Sequence, residues 1–303
     1  MPPSQTALSI IPLSLRPFER APKMHFFDQI GPFREFLALA RQAQSPVALV
    51  PTMGALHPGH LALIQAARAE CALVIATIFV NPTQFNNPED LAKYPRTLER
   101  DKAMLEAAGC HAIFAPAASE MYSISSIVNI QWKGLDDILE GHYRPGHFSG
   151  VSLVVAKLFN LVRPDVAYFG QKDFQQFKVI SRLVDELMFD IQLRCVETVR
   201  EADGLAMSSR NQRLNEVQRA DALVFYRTLQ QARAELQRGK NMDEIRKRVA
   251  QNFSGARGTS MEYLELADRE NLTLIDRVIE PDSGVLLIAG YVGEVRLIDN
   301  LFV

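Results

Sequence analysis

Two segments, Pro51-Thr-Met-Gly-Ala-Leu-His57-Pro-Gly-His60 and Leu205-Ala-Met-Ser208-Ser209-Arg210-Asn211, stand about 150 residues apart, and each has the side chains of half a nucleotide-phosphate site. In the first, Gly54 and Gly59 let the backbone approach a ligand closely. Pro58 sits where a helix can begin without losing a hydrogen bond, which leaves neighbouring N–H groups free to face an anion. His57 and His60 are three residues apart, so near a helix start both can point into one pocket. As neutral donors or as imidazolium ions they can offset charge gathering on a triphosphate. Two histidines beside a Pro-Gly turn would serve equally well as surface polar residues or as a helix cap. In the second segment Ser208 and Ser209 offer hydroxyls and Arg210 a forked cation, all suited to phosphate oxygens, although Ser-Ser-Arg is also a common surface sequence. Together the segments point to transfer of an adenylyl group.

Three further stretches carry polar chemistry. Asn81-Pro-Thr-Gln84-Phe-Asn-Asn-Pro88 is too rich in Asn and Pro for regular structure. Its amides offer donor and acceptor together and can bind a small polar substrate, and turn chemistry explains Asn-Pro as well. Gly141-His-Tyr-Arg144-Pro-Gly-His147-Phe-Ser-Gly150 leads into an apolar helical run and presents Arg144, His147 and Ser149 at its start, as a second anion contact, a lid or a cap. Tyr168-Phe-Gly170-Gln-Lys172-Asp173-Phe-Gln-Gln176 repeats the strand, glycine, helix grammar of the first segment. There Lys172 can meet an α-phosphate, and Asp173 can hold Lys172, bind a ribose hydroxyl or contact Mg²⁺ indirectly; a surface ion pair is the plain alternative. Neither G-x-x-x-x-G-K-[ST] nor G-x-G-x-x-G occurs, so an ordinary P-loop ATPase and a dinucleotide-binding dehydrogenase are unsupported. The lack of a G-x-S-x-G elbow argues weakly against a hydrolase.

The elements that must position these residues alternate along the chain. Short apolar runs at Val47 to Val50, Leu73 to Val80, Ala112 to Phe114, Val166 to Phe169 and Ile191 to Val196 read as strands. Between them Phe33 to Gln44, Leu61 to Cys71, Leu98 to Ala108, Gly150 to Asn160 and Phe174 to Leu187 read as helices. This is the pattern of an α/β, Rossmann-like doubly wound parallel sheet, which binds ligands at the carboxyl ends of its strands. The singled-out residues follow Val50, Val80 and Phe169, where that rule puts them. Beyond Val199 come charged helices at Val217 to Leu236 and Met242 to Asn252, then strand-like pieces at Met261 to Leu266, Gly284 to Ile288 and Val295 to Ile298. They indicate a smaller α+β domain, with the boundary between Glu197 and Asp203. The expected layout is a nucleotide-binding domain over 25–198 and a C-terminal lid domain over 199–303, a division that suits a chain of 303 residues.

A net charge of -2 gives no electrostatic reason to expect nucleic acid or a membrane as partner. Cys71, Cys110 and Cys195 are widely spaced in apolar surroundings and form no paired motif, which fits buried free thiols in a reducing, cytoplasmic setting. Residues 1–24 differ from the rest: five prolines, several Ser and Thr and a basic excess suggest a disordered leader. A weak targeting segment or a start codon upstream of Met24 would look similar.

Taken together, these segments resemble the pantothenate synthetase (pantoate–β-alanine ligase) family of the HxGH nucleotidylyltransferase-like superfamily. The resemblance runs from Met24 to Val303 and includes Phe79-Val-Asn-Pro-Thr-Gln-Phe85, Tyr94-Pro-Arg-Thr97, Arg144-Pro-Gly-His-Phe148 and Asp203-Gly-Leu-Ala-Met-Ser-Ser-Arg-Asn211 beside the segments above. HxGH alone marks only the superfamily; the ordered set is far more specific. The resemblance implies ATP-dependent condensation of pantoate with β-alanine through a pantoyl adenylate, with Mg²⁺ near the phosphates. It implies ATP contacts at Met53, Gly54, His57, His60, Gly170, Lys172, Asp173, Met207, Ser208, Ser209 and Arg210. Catalysis would fall to His57, His60, Lys172, Ser208, Ser209 and Arg210. Pantoate would meet Pro51, Thr52, Met53, Gln84 and Gln176, with Asn81, Tyr94 and Arg144 as accessories. A homodimer joined through the first domain is the family's usual assembly. A nucleotidyltransferase acting on a phosphorylated acceptor would share the histidines but not need the amide pocket, and a non-catalytic nucleotide-binding protein would tolerate loss of Lys172.

Overall fold

A computed structural model describes residues 24–42, 45–124, 127–255, 258–278 and 280–303. The leader expected over 1–24 lies outside the described residues apart from Met24, as does the end of the first expected helix at 43–44. The first half of the chain runs β1 (His25–Phe27), α1 (Ile30–Gln42), β2 (Val47–Thr52), α2 (Pro58–Glu70), β3 (Leu73–Ile78), α3 (Pro88–Ala92), α4 (Leu98–Ala107) and β4 (Ala112–Phe114). It continues through the short α5 (Ala118–Met121) and α6 (Leu139–Tyr143) to α7 (His147–Val162), β5 (Val166–Gly170), α8 (Phe174–Glu186) and β6 (Gln192–Val196). The six strands form one parallel sheet in the order β1-β4-β3-β2-β5-β6. From β2 the chain winds out through β3 to β4, then returns to β5 on the other side. The switch point therefore lies between β2 and β5, and their carboxyl ends open a crevice there.

Both faces of this sheet are covered, which is why its central strands are apolar without alternation. One face packs on α2 and α4 through Leu63, Ile64, Ala67 and Leu105. The other packs on α1, α7 and α8 through Phe33, Val155, Phe159 and Ile180. The edge strand β1 is a departure from the sequence expectation: three residues long, it pairs with β4 and is too short to show a period. Asn81 to Pro88 likewise holds more regular structure than its composition suggests, with a 3₁₀ turn at Pro82–Gln84 and α3 starting at Pro88. In both, an Asn side chain caps the turn and Pro occupies the first helical position, so the Asn-Pro pairs act as helix starts.

The second unit comprises α9 (Glu216–Asp221), α10 (Leu223–Gln237), α11 (Met242–Gly255) and the antiparallel sheet β7 (Thr259–Asp268), β8 (Gly284–Val292) and β9 (Val295–Phe302). The single helix expected from Val217 is interrupted at Ala222, whose carbonyl accepts from Phe225 N–H in an i to i+3 bond. One face of the small sheet packs on α10 and α11 through Phe225, Leu229, Val249 and Ile288. The other contributes Tyr263, Val285, Leu287 and Ala289 to the same core that covers α7 and α8. The two units thus share buried apolar surface as well as polar contacts.

Candidate active site

The first turn leaves β2 at Thr52 and passes through two residues with left-handed backbone, Gly54 at φ 78° and Ala55 at φ 50°. Such a pair does not hold itself in place. The fully buried Asp101 carboxylate of α4 accepts from Ala55 N–H and Leu56 N–H, both at 2.9 Å, and from the Thr97 hydroxyl at 3.1 Å. A Cβ on Gly54 would lie 3.0 Å from the same carboxylate, so glycine is needed there for space as well as for conformation.

Beyond the turn Pro58 opens α2, and His60 Nδ1 accepts from His57 N–H at 3.3 Å. The cap reading is therefore part of what the histidines do. Because Nδ1 accepts, the proton of a neutral His60 sits on Nε2. The two rings lie 4.0 Å apart, and His57 Nδ1 is buried with no hydrogen-bond partner. Burial, aided by Lys172 and partly offset by Asp173, pushes the His57 imidazole down to about 4. His60 falls well below 6.5 through burial, the neighbouring His57 and Lys172. The ligand-free site therefore presents neutral imidazoles rather than a pair of cations.

The second turn follows β5. Gly170 has an ordinary φ of -81°, and a single 3₁₀ turn, Gln171–Asp173, leads into α8. Asn300 of β9 holds this turn by donating its amide to the carbonyls of Gln171 at 2.8 Å and Lys172 at 2.9 Å, while Gln171 Nε2 donates back to Asn300 Oδ1 at 3.2 Å. Lys172 Nζ stands 3.9 Å from Asp173 Oδ1, a loose pairing that leaves the ammonium available to a stronger anion.

The amide pocket is built at the 3₁₀ turn after β3. Asn81 Nδ2 donates to Gln84 Oε1 and to Gly150 carbonyl, both at 3.1 Å, and Tyr122 donates to Asn81 Oδ1 at 2.8 Å. With its oxygen occupied, Gln84 directs Nε2 towards Met53 Sδ at 3.1 Å. A Cβ at Gly150 would sit 2.2 Å from Thr83 carbonyl oxygen, so α7 can press on this turn only through a glycine.

Segment 208–213, which follows β6 and precedes α9, closes the site. Ser208 caps its own turn by accepting from Arg210 N–H, and Ser209 donates to Ala55 carbonyl at 3.0 Å, which fastens this segment to the first turn. Arg210 and Arg213 share the Asp90 carboxylate of α3 at 2.9 and 3.0 Å. Burial works against that charge, but the two guanidinium groups hold Asp90 below the usual carboxylate range. Two connected cavities result. A smaller one of about 210 Å³ lies between the two turns, and a larger one of about 430 Å³ extends towards α3, α6 and β9; Lys172, Asp173, Ser208 and Arg210 line both.

A family model described as Pantoate-beta-alanine ligase matches residues 25–302. The chain belongs to this family. The pantothenate synthetase of Moorella thermoacetica is 44% identical over 279 residues, covering 92% of this chain and 98% of its own. That of Thioalkalivibrio sulfidiphilus is 47% identical over 267 residues, covering 86% of this chain and 91% of its own. The crystal structure of pantothenate synthetase from Thermus thermophilus superposes with a TM-score of 0.86 at 41% identity, covering 92% of this chain and 99% of that one. A pantoate-beta-alanine ligase from Francisella tularensis, complexed with beta-gamma ATP and beta-alanine, gives a TM-score of 0.77 at 33% identity and covers 92% and 98%. The protein is therefore an ATP-dependent ligase of pantothenate biosynthesis.

Of the ligase residues singled out in the sequence, all but Gly54 and Arg144 line the smaller cavity: Pro51, Thr52 and Met53, His57 and His60, Asn81, Gln84 and Tyr94, Gly170, Lys172, Asp173 and Gln176, and Met207 to Arg210. Gly54 shapes the turn beneath it, and Arg144 faces the larger cavity. At the start of α7, where the sequence allowed an anion contact, a lid or a cap, the side chains of His147 and Ser149 are engaged within the protein. His147 is buried and uses its ring on Arg144 and on the Gln84 carbonyl, while Ser149 donates to Asn129. Sequence reasoning missed Asp101, Asn300 and Asp90, which touch the site's framework from α4, β9 and α3. One acid among several on a charged helix reads as solvated, and nothing local distinguishes Asp101 from its neighbours Glu99 and Glu106.

Proposed function

We propose that this ligase condenses pantoate with β-alanine in two steps within the connected cavities. The observation that carries the proposal is the meeting of Lys172 and two neutral histidines with the amides of Gln84 and Gln176 around one space. A carboxylate is a poor acyl donor because oxide would have to leave, so activation comes first. A pantoate carboxylate oxygen bonds to the α-phosphorus of ATP as the bond to the bridging oxygen breaks, and pyrophosphate departs. The amine of β-alanine then bonds to the acyl carbon, AMP leaves with the former carboxylate oxygen, and the amine loses a proton.

Pantoate carries hydroxyls and a carboxylate, which the Gln84 and Gln176 amides match as donors and acceptors, with Pro51, Thr52 and Met53 beside them. Lys172 offers a mobile point charge between that pocket and the nucleotide. His57, His60, Ser208 and Arg210 supply donors to the phosphates, and Met207 an apolar contact for the nucleotide. Ser209, donating to Ala55, serves this scheme by tying the closing segment to the first turn. No group of three His, Cys, Asp or Glu among the described residues could hold a metal ion by itself. Mg²⁺ would enter on the ATP phosphates and neutralise their charge, with Asp173 as a carboxylate on the cavity wall.

Residues 25–198 are assigned the binding of nucleotide and pantoate, and residues 199–303 the role of lid. Ser209 and Arg210 support the latter by reaching back to Ala55 and Asp90. A homodimer joined through the first domain and a cytoplasmic setting complete the proposal. The free, buried Cys71, Cys110 and Cys195 accord with a reducing compartment, and among the described residues no helix is long and apolar enough to cross a membrane.

The test follows pyrophosphate and AMP separately after mixing the protein with ATP, Mg²⁺ and pantoate, with and without β-alanine. Pantoate-dependent pyrophosphate release, with AMP appearing when the amine is added, is the expected outcome. Pyrophosphate release indifferent to pantoate would remove the assignment and favour another acceptor.

A further inference from the structure

His147 lies at the first residue of α7, 4% exposed, and both its ring nitrogens are engaged. Nδ1 stands 2.9 Å from the carbonyl oxygen of Gln84, and Nε2 stands 3.1 Å from Arg144 Nη1. The partners settle which nitrogen carries the proton. A carbonyl only accepts, so Nδ1 must bear hydrogen; a guanidinium only donates, so Nε2 must be bare. A proton on Nε2 would face an N–H donor and leave the Gln84 carbonyl without this one. Burial first, and then the Arg144 charge, push the imidazole down to about 3, with the Gln84 contact only partly opposing them. The positive end of α7 acts in the same direction.

This ring joins two parts of the molecule. On one side Arg144 lies 3.6 Å from Glu140, which accepts two hydrogen bonds from Arg296 of β9 at 2.7 and 2.8 Å and one from Tyr263 of β7 at 2.9 Å. On the other side is the backbone of Gln84, whose side-chain oxygen is already held by Asn81. Gln84 is thus gripped at two points, its amide by Asn81 and its main chain by His147.

We propose that His147 is a positioning residue, locked as the Nδ1–H tautomer between Arg144 and the Gln84 carbonyl, that sets the pantoate-binding amide of Gln84 from a support anchored in the second unit. The inference rests on the assignment of Gln84 to pantoate. It concerns the ground-state placement of that substrate and predicts a change in its KM rather than in the KM for ATP.

The two nitrogens can be tested apart. His147→Gln places an amide near Nε2, where its oxygen can still accept from Arg144, but withdraws the donor from Gln84. His147→Asn places an amide N–H near Nδ1 and keeps the bond to Gln84. The Gln variant should raise pantoate KM about tenfold, the usual scale for stranding a buried acceptor, with ATP KM within about twofold of the parent. The Asn variant should restore most of the lost pantoate affinity. Equal pantoate KM for the Gln variant and the parent, or equal rises in both KM values, would overturn the proposal. Histidine ¹⁵N spectra of the ligand-free parent give a readout independent of turnover and of any variant's folding. A neutral ring protonated on Nδ1 at pH 7 is expected, and an Nε2–H ring or an imidazolium would overturn the tautomer assignment. If the parent shows no dependence on pantoate, the substrate assignment fails while the spectra still decide the tautomer.

Discussion

The turn after β2 and the turn after β5 leave adjacent strands of one parallel sheet with the same order of strand, glycine and helix, yet they are held by different means. The first adopts left-handed backbone at Gly54 and Ala55 and is pinned from within its own unit by Asp101. The second has an ordinary backbone at Gly170 and is pinned from the other unit by Asn300. Strained backbone needs a strong local clamp, and a buried carboxylate accepting two N–H groups supplies one. An unstrained turn can be held by neutral amide contacts from a distant strand. The consequence is structural: the clamp on the histidine turn comes from α4 of the same sheet unit, whereas the backbone beneath Lys172 is held by β9.

The largest expected effect breaks the first clamp. Asp101→Ala strands the buried N–H groups of Ala55 and Leu56 and should cost about 2–5 kcal/mol, with the histidine turn lost and activity abolished. Chemical denaturation and the pyrophosphate assay check this; retained activity with a small stability loss would mean that the turn holds itself. Next comes the second turn's own side chain. Lys172→Ala should fold and bind ATP while lowering adenylate formation about a hundredfold or more, and near-normal pyrophosphate release would refute its role. Asn300→Ala tests the support beneath it and should lower turnover about tenfold while leaving substrate KM values close to the parent. Equal loss in Asn300→Ala and Asp101→Ala would erase the distinction between the clamps.

The same substitution in both turns sharpens the contrast. Gly54→Ala forces a Cβ to 3.0 Å from Asp101 Oδ2 on left-handed backbone and should destabilise by about 1–3 kcal/mol. At Gly170 an added Cβ meets no protein atom within 4 Å. Gly170→Ala should leave stability within about 0.5 kcal/mol while raising the KM for ATP, because that space borders the cavity. Thermal melts and steady-state kinetics on the pair separate the two demands on glycine.

A pH dependence tests the buried groups of both regions together. His57 in the folded, ligand-free protein takes a proton only near pH 4 and His147 only near pH 3, whereas in the unfolded chain both do so near 6.5. Between those values the unfolded state binds more protons, so stability is full above pH 6.5 and falls as pH drops towards 4 and then 3. Glu140 adds a lower window. Burial alone would raise it, but Arg296, Arg144 and Tyr263 bring it down to about 2, so its contribution is present above pH 4.5 and lost towards 2. Urea midpoints measured from pH 7.5 to 4 should decline; a flat profile would mean that the histidine sites admit water and charge freely.

Local pattern carried far in this chain. Unbroken apolar runs such as Val47 to Val50 read as strands covered on both faces, and glycine with proline after a strand marked where a ligand meets a helix start. Most of the smaller cavity's lining was legible for that reason, because side chains that bind phosphates or polar substrates cluster at strand ends in short contiguous segments. Tertiary structure alone decided what holds those segments. Asp101, Asn300 and Asp90 act across 45, 128 and 120 positions of chain, on Leu56, Lys172 and Arg210, so no spacing rule reveals them. It also decided the state of the histidines. His57 and His60 could have been cations or neutral donors by composition, and burial beside Lys172 makes them neutral, since charge in a low-dielectric site costs more than an imidazole at neutral pH can sustain.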